Sequence, residues 1–308
     1  MLKRLIPVFA LIAACQSAPA ETVPEPAAAP EDSAWRPVDP ENLILFDLGQ
    51  NGAIYIELLP EAAPANTAAL REAVRTGYFD GEYFYRVIET HVAQAGREFD
   101  ERLKDVPRLP LEAERETSTA GFDPLGSGDL YAAQVGHRKG FPVAHQRGGE
   151  WLLNCPGAIG MARDEGPDTA VTEIYIPLLP RRYLDRNYTI VGRVISGMDT
   201  VNRLARAEPA TPEETAILFG DDPVAAADAA SARADKLASN RIIAAHVAAD
   251  MPQENRPAFE VMKTPSPDWD ALKESKRDYS SISAFVSTPP KVLDICTLPV
   301  PARPIFEQ

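Results

Sequence analysis

A mainly β fold that closes into a barrel is the class this sequence predicts, on three observations. Short stretches of alternating apolar and polar residues recur between turn residues, as half-buried strands require. Helical patterns are few. A set of many short strands is best protected by closure, which leaves no exposed sheet edge. The chain has 308 residues, 45% of them hydrophobic, enough for a sizeable core and for long insertions.

The elements follow in order. Residues 43–48 and 53–59 alternate as two strands, joined by Gly49-Gln50-Asn51-Gly52, a hairpin turn. A helix opens at Pro64, where proline suits the first turn. Ala69, Leu70, Ala73 and Val74 give its apolar stripe and Gly77 its stop. Residues 83–88, 91–94, 158–162, 172–176 and 189–195 read as strands, 198–205 as a short helix. Residues 225–237 form a small-residue helix and 241–248 a closing strand. Two insertions interrupt this series, 97–156 and 207–240. The Gly, Pro and Asp content of the first predicts long loops, beside the strands that follow residue 77. It is placed to form one wall of a groove there. From Met251 onward prolines are too frequent for regular helix or central strand. Residues 251–308 therefore read as an extended tail packed on the domain, pinned by Trp269 and Cys296.

The start reads differently. Lys3 and Arg4 precede an apolar run, 5–14, far shorter than the roughly 20 residues that span a bilayer. A charged end, a short apolar core and small residues read as a signal peptide over 1–14. Its ending, Ala13-Ala14-Cys15, resembles a bacterial lipoprotein box with Cys15 as the lipidated residue, and Gln16 in the next position favours the outer membrane. The alternative is an ordinary signal cleaved near Ala18 or Ala20, leaving a soluble periplasmic protein. Residues 15–40, rich in Ala, Pro and Glu, cannot bury enough surface to order themselves and read as a linker. Cys155 and Cys296 remain after processing; they are either a disulfide or two buried thiols.

Charge and motifs exclude several functions. With 31 basic against 45 acidic residues, the chain is a poor fit to nucleic acid or to anionic lipid. The four histidines are far apart and lack ligand spacing, so no metal is expected. Gly126-Ser127-Gly128 lacks the strand, helix and lysine of a phosphate loop. No hydrolase elbow occurs. No cofactor is called for.

The most informative block is Gly77 to Gly96. Arg86 stands among aromatic and apolar residues, eight positions before Gln94. An arginine offered from an apolar surface beside an amide polarises a neutral carbonyl or amide without covalent chemistry. The plainer reading is a surface arginine paired with Glu82 or Glu89.

The block resembles the core motif of the cyclophilin-type peptidyl-prolyl isomerases. It carries Gly77-Tyr78-Phe79-Asp80-Gly81, Phe84-Tyr85-Arg86-Val87-Ile88, Gln94 and Gly96. Gly160-Met161-Ala162-Arg163, Thr172-Glu173-Ile174-Tyr175-Ile176, Tyr183-Leu184-Asp185 and Ile190-Val191-Gly192-Arg193-Val194 continue it in family order, over about residues 42–206. The resemblance implies an eight-stranded antiparallel barrel capped by helices, spanning residues 41–250 here. It implies rotation about X–Pro bonds, with proline-containing polypeptides of the envelope or secreted pool as partners. Arg86 would be the donor, Gln94 would order it, and Tyr175 and Leu184 would line the proline pocket. His91 and Val92 replace the phenylalanine and methionine of that pocket, and Ala162 and Arg163 border it. Glu173 replaces a groove glutamine and would pair with Arg86 in competition with substrate. Tyr183 takes the place of tryptophan, Tyr188 that of a histidine, and Tyr85 that of the histidine before the arginine. These departures imply reduced turnover, and a second hypothesis, a cyclophilin-like binding module for proline-containing segments with little or no turnover.

Overall fold

The computed structural model describes residues 33–99 and 102–305. The expected signal peptide, Cys15 and most of the linker lie outside the described residues. Strand β1 (Trp35–Pro37) falls within the expected linker and is a correction to it. Strands β2 (Leu43–Asp47) and β3 (Ala53–Leu58) follow, joined by a 3-10 turn at Gly49–Asn51. Helix α1 (Pro64–Arg75) buries Leu70, Ala73 and Val74. It has no side-chain cap of its own; the Ala65 and Asn66 amides donate to the Glu112 carboxylate at 3.1 and 2.9 Å. A carboxylate suits the positive end of a helix. Next come β4 (Tyr83–Val87) and β5 (Val92–Gly96).

The first insertion is not a set of long loops. It contains β6 (Arg115–Glu116), β7 (Asp123–Pro124), β8 (Gln134–Arg138), β9 (Phe141–Gln146) and β10 (Gly149–Leu152). They form a five-stranded sheet in the order β6-β10-β9-β8-β7. The main sheet resumes with β11 (Ala158–Arg163), β12 (Ala170–Pro177) and β13 (Ile190–Ser196), then α2 (Met198–Arg203). The second insertion holds α3 (Pro212–Leu218) and α4 (Pro223–Leu237), each with proline in its first turn and a capping side chain, Thr211 or Asp222. Strand β14 (Ala244–Val247) ends the barrel. The tail then forms β15 (Phe259–Met262), α5 (Pro267–Arg277) and β16 (Ala302–Pro304).

Eight strands make one antiparallel sheet, β14-β2-β3-β13-β11-β12-β5-β4. The segment leading into β14 meets the other end strand, β4, at a single bridge, Tyr83 to Arg241, flanked by backbone hydrogen bonds between Gly81 and Ile242 and between Ile242 and Glu82. The sheet is thus a barrel stitched at its seam rather than laddered all round. Its interior is apolar, with Phe46, Ile54, Ile56, Phe84, Ile174 and Val191 fully buried.

The tail also departs from expectation. It is neither strand-free nor merely extended: β15 is the centre of a three-stranded sheet, β1-β15-β16. Phe259 and Val261 are buried on one face while Glu260 and Met262 are only partly so, which supplies the alternation a strand needs. Pro267 sits in the first turn of α5, where a missing N–H does no harm, and Ser266 caps it through the Trp269 amide. The insertion sheet and the tail share one core, with Leu125, Val135, Trp151, Val261, Trp269 and Ile295 among its members. Trp269 is fully buried; its indole N–H donates to Asp123 at 2.6 Å, and Lys273 bonds the same carboxylate at 2.9 Å. A disulfide joins Cys155 to Cys296, so of the two alternatives for these cysteines the structure has the bridge.

Candidate active site

Strand register assembles the site. Arg86 on β4 stands opposite Gln94 on β5, Gln94 opposite Tyr175 on β12, and Tyr175 opposite Gly160 on β11. Directly opposed residues share a face, so Arg86, Gln94 and Tyr175 project to one side of the barrel. Gly160 makes room for the tyrosine ring: a Cβ there would lie 2.1 Å from Tyr175 Cζ. The side chain of Tyr175 therefore lies over β11 and is buried.

A cleft of about 320 Å3 opens at this place, lined by Arg86, His91, Val92, Gln94, Ala162, Arg163, Tyr175, Tyr183, Leu184 and Tyr188. Ten of the eleven side chains expected around the site thus meet in one cavity, and Glu173 does not. Val92 and Tyr175 form a floor with Leu184, Ala162 and Tyr188. Phe141 and Val143 of the first insertion back that floor from beneath. Among the described residues the insertion contributes no lining side chain, so it supports the groove from behind instead of walling it. Tyr183, 59% exposed, forms the rim.

The floor is braced by a chain of hydrogen bonds. The Tyr175 hydroxyl donates to Asn154 Oδ1 at 2.7 Å. The Asn154 backbone and side-chain N–H groups both donate to Asp185, at 2.9 and 3.2 Å. Arg182 holds Asp185 at 2.5 Å and Asp129 at 2.8 Å. Tyr188 meets Tyr175 edge-on, with ring centroids 5.5 Å apart, and Arg163 lies 4.7 Å above the Tyr188 ring. Asn154 was not singled out from the sequence. It lies near the end of the first insertion, and nothing local marks it as the tyrosine's partner.

Arg86 is half-buried and unpaired with any carboxylate among the described residues. The two acids near it in sequence are engaged elsewhere: Glu82 with Arg102 and Glu89 with Arg206. Its one described partner is Gln94 Oε1, at a long 3.4 Å. A fixed cation with uncommitted N–H groups thus faces an apolar floor. His91, beside it, is held below its ordinary range by burial and by the Arg86 and Arg181 charges. It is a neutral imidazole at neutral pH.

Glu173 corrects an expectation. It does not pair with Arg86 and does not reach the groove. It is 2% exposed and receives hydrogen bonds from the hydroxyls of Tyr85, at 2.5 Å, and Tyr78, at 3.2 Å. Gly96 is what admits it: a Cβ at that residue, whose φ is +138°, would fall 2.2 Å from Glu173 Oε1. Burial pushes the carboxyl up to about 8, against the partial relief of those hydroxyls. Among the described residues no three His, Cys, Asp or Glu side chains gather as a metal site.

The comparisons with known proteins bear on this geometry. Residues 43–219 match the family described as cyclophilin type peptidyl-prolyl cis-trans isomerase/CLD. The chain belongs to the cyclophilin-type peptidyl-prolyl cis–trans isomerases. A probable peptidyl-prolyl cis-trans isomerase of Brucella suis is 30% identical over 182 residues, covering 56% of this chain and 76% of that protein. The human peptidyl-prolyl cis-trans isomerase-like 1 is 29% identical over 182 residues, covering 59% of this chain and 87% of its own. The crystal structure of cyclophilin AquaCyp293 from Hirschia baltica superposes with a TM-score of 0.67 at 25% identity. That likeness covers 89% of this chain and 94% of the other, so it extends beyond the family-matched residues into the tail. This cyclophilin is an isomerase of X–Pro bonds.

Proposed function

We propose that Arg86 is the donor to the prolyl nitrogen, that Gln94 meets the substrate carbonyl, and that the proline ring rests on Val92, Tyr175 and Leu184. The uncatalysed rotation faces a barrier of about 18–20 kcal/mol, because the planar amide must lose its resonance. At the top of that barrier the nitrogen gains basicity. A guanidinium aimed at it binds the twisted form more tightly than the flat one, and only such a difference accelerates the step. The observation that carries the assignment is Arg86 without a carboxylate partner, in one cleft with an apolar floor. Replacing it, Arg86→Ala, lowers kcat/KM for an X–Pro peptide by about tenfold or more, a loss of at least ~1.4 kcal/mol of transition-state binding. An unchanged rate in exchange NMR refutes the role. Wild-type turnover at background, together with binding of a proline peptide, would instead favour the binding-module reading.

The substrates proposed are proline-containing segments of envelope or secreted proteins, met at the periplasmic face of a membrane through a lipid on Cys15. Two features support that setting: the Ala13-Ala14-Cys15 ending of a short apolar run, and a disulfide, which persists in oxidising compartments. Among the described residues no helix is long and apolar enough to cross a membrane. Metabolic labelling with palmitate and fractionation of cells test it. Label on the wild type, absent from Cys15→Ser, supports the anchor; an unlabelled wild-type chain in the soluble fraction removes it.

A further inference from the structure

We propose that Glu173 is a positioning residue: acting through the Tyr85 hydroxyl, it sets which end of the Gln94 amide faces Arg86. This rests on Arg86 being the donor of the isomerisation.

Three contacts run in series. Tyr85 donates to Glu173 Oε2 at 2.5 Å, Gln94 Nε2 donates to the Tyr85 oxygen at 2.5 Å, and Arg86 Nη1 donates to Gln94 Oε1 at 3.4 Å. A carboxylate only accepts. The Tyr85 proton must then point at Glu173, and the phenol oxygen is left as an acceptor. It takes the Gln94 amino group, so the Gln94 carbonyl is turned to the arginine. Reverse the first link and the rest reverses. If Glu173 carries a proton on Oε2 and donates it to Tyr85, the phenol proton points at Gln94, which then presents its carbonyl to Tyr85. The amino group would face Arg86, two donors toward each other, and the guanidinium would lose its tether in the cleft.

The surroundings are built for this relay. Gly96 gives Glu173 its space, and Tyr78 occupies the second carboxyl oxygen. Other charges near the relay are committed: Arg97 lies 4.5 Å over the Tyr78 ring, and Glu98 is paired with Arg233, whose guanidinium also bonds the Tyr85 carbonyl. Burial and the Glu173 charge both hold the Tyr85 phenol well above its ordinary range, so it stays a donor. Glu173 itself titrates at about 8. His91, the other titratable group beside Arg86, is held below 6.5, outside that window.

The test is kcat and KM by exchange NMR on the purified full chain, from pH 6 to pH 9.5. The inference expects wild-type kcat/KM to rise through about pH 8 as Glu173 ionises. Tyr85→Phe and Glu173→Gln should each lose roughly three- to tenfold, chiefly in kcat, and flatten that rise. Tyr85→Phe/Glu173→Gln should lose no more than Tyr85→Phe alone, since both cut one relay. Folded single variants with wild-type rates and an intact pH profile overturn it, and so does a flat wild-type profile, even if no variant folds. Arg86→Ala separates the two failures. If it loses tenfold while the relay variants match wild type, only the positioning role falls; if it keeps full activity, the donor assignment falls and takes this inference with it.

Discussion

Replacing Cys155 and Cys296 by alanine should lower the unfolding midpoint sharply while leaving the cleft chemistry intact. The bridge closes a loop across 141 residues. In the loop-closure account, releasing a loop of that size returns about 5 kcal/mol of freedom to the unfolded chain at 25 °C. For a chain of 308 residues, at about 2 cal/mol/K of unfolding entropy per residue, each kcal/mol moves the midpoint by about 1.5 °C, so a fall on the order of 8 °C is expected. The fold should survive, because the tail keeps Trp269, the Lys273–Asp123 pair and the β1-β15-β16 sheet. Calorimetry on the oxidised wild type, the reduced wild type and the double alanine variant measures it. The last two should agree with each other. Oxidised and alanine proteins melting within about 2 °C of each other would refute the loop argument. Two reactive thiols per chain in unreduced protein would refute its premise.

Tyr175→Phe strips the donor from Asn154 Oδ1 inside the floor; urea titration should show a loss of about 1–3 kcal/mol. Asp129→Ala leaves the buried Arg182 with Asp185 alone and frees the Tyr131 and Ala132 amides; hydrogen exchange of those two amides should quicken by an order of magnitude or more. Stability should depend on pH from two sides. Glu173 titrates at about 8 when folded and at 4.5 ordinarily, so its contribution is complete below pH 4.5 and is lost as pH rises through 8. Urea midpoints of Glu173→Gln should lack that decline between pH 4.5 and 8. Burial, then the Arg193 and Lys273 charges, push His137 down to about 3 from 6.5, so its contribution is complete above pH 6.5 and fades as pH falls through 3. The acid decline should be on the order of 5 kcal/mol and absent from His137→Leu.

What could be read in advance follows from how each segment is buried. The barrel strands alternate, or carry the motif around Arg86, and their bounds came within a residue or two of the observed ones, except that the closing strand begins at Ala244 rather than at 241. The insertion strands give no such signal. Gly149–Leu152 is buried at every position and Gln134–Arg138 at all but the first, so two-sided burial erases the period of two. Tail prolines point away from regular structure, yet they fall at the first turn of α5 and on β16 at the edge of its sheet, where they are harmless. The site side chains were legible through strand register and motif. Glu173 was not: its sequence position puts it on the groove face, and only the folded chain reveals that Gly96 and two phenols draw it inward. Tyr85 and Glu173 were each visible as departures from the family motif, and reading them as one complementary pair was the available clue.

The shared core of sheet and tail has a consequence for how this chain is divided in the laboratory or in evolution. Neither appendage can be discarded separately, because each is the other's roof. A minimal barrel cut from residues 41–250 would strand Leu125, Val135 and Trp151 in water and would also lose the pairing of Trp35–Pro37 with Phe259–Met262. Such a fragment should clump rather than catalyse. The two additions form a single outer garment, and removing either one bares the apolar side of the other.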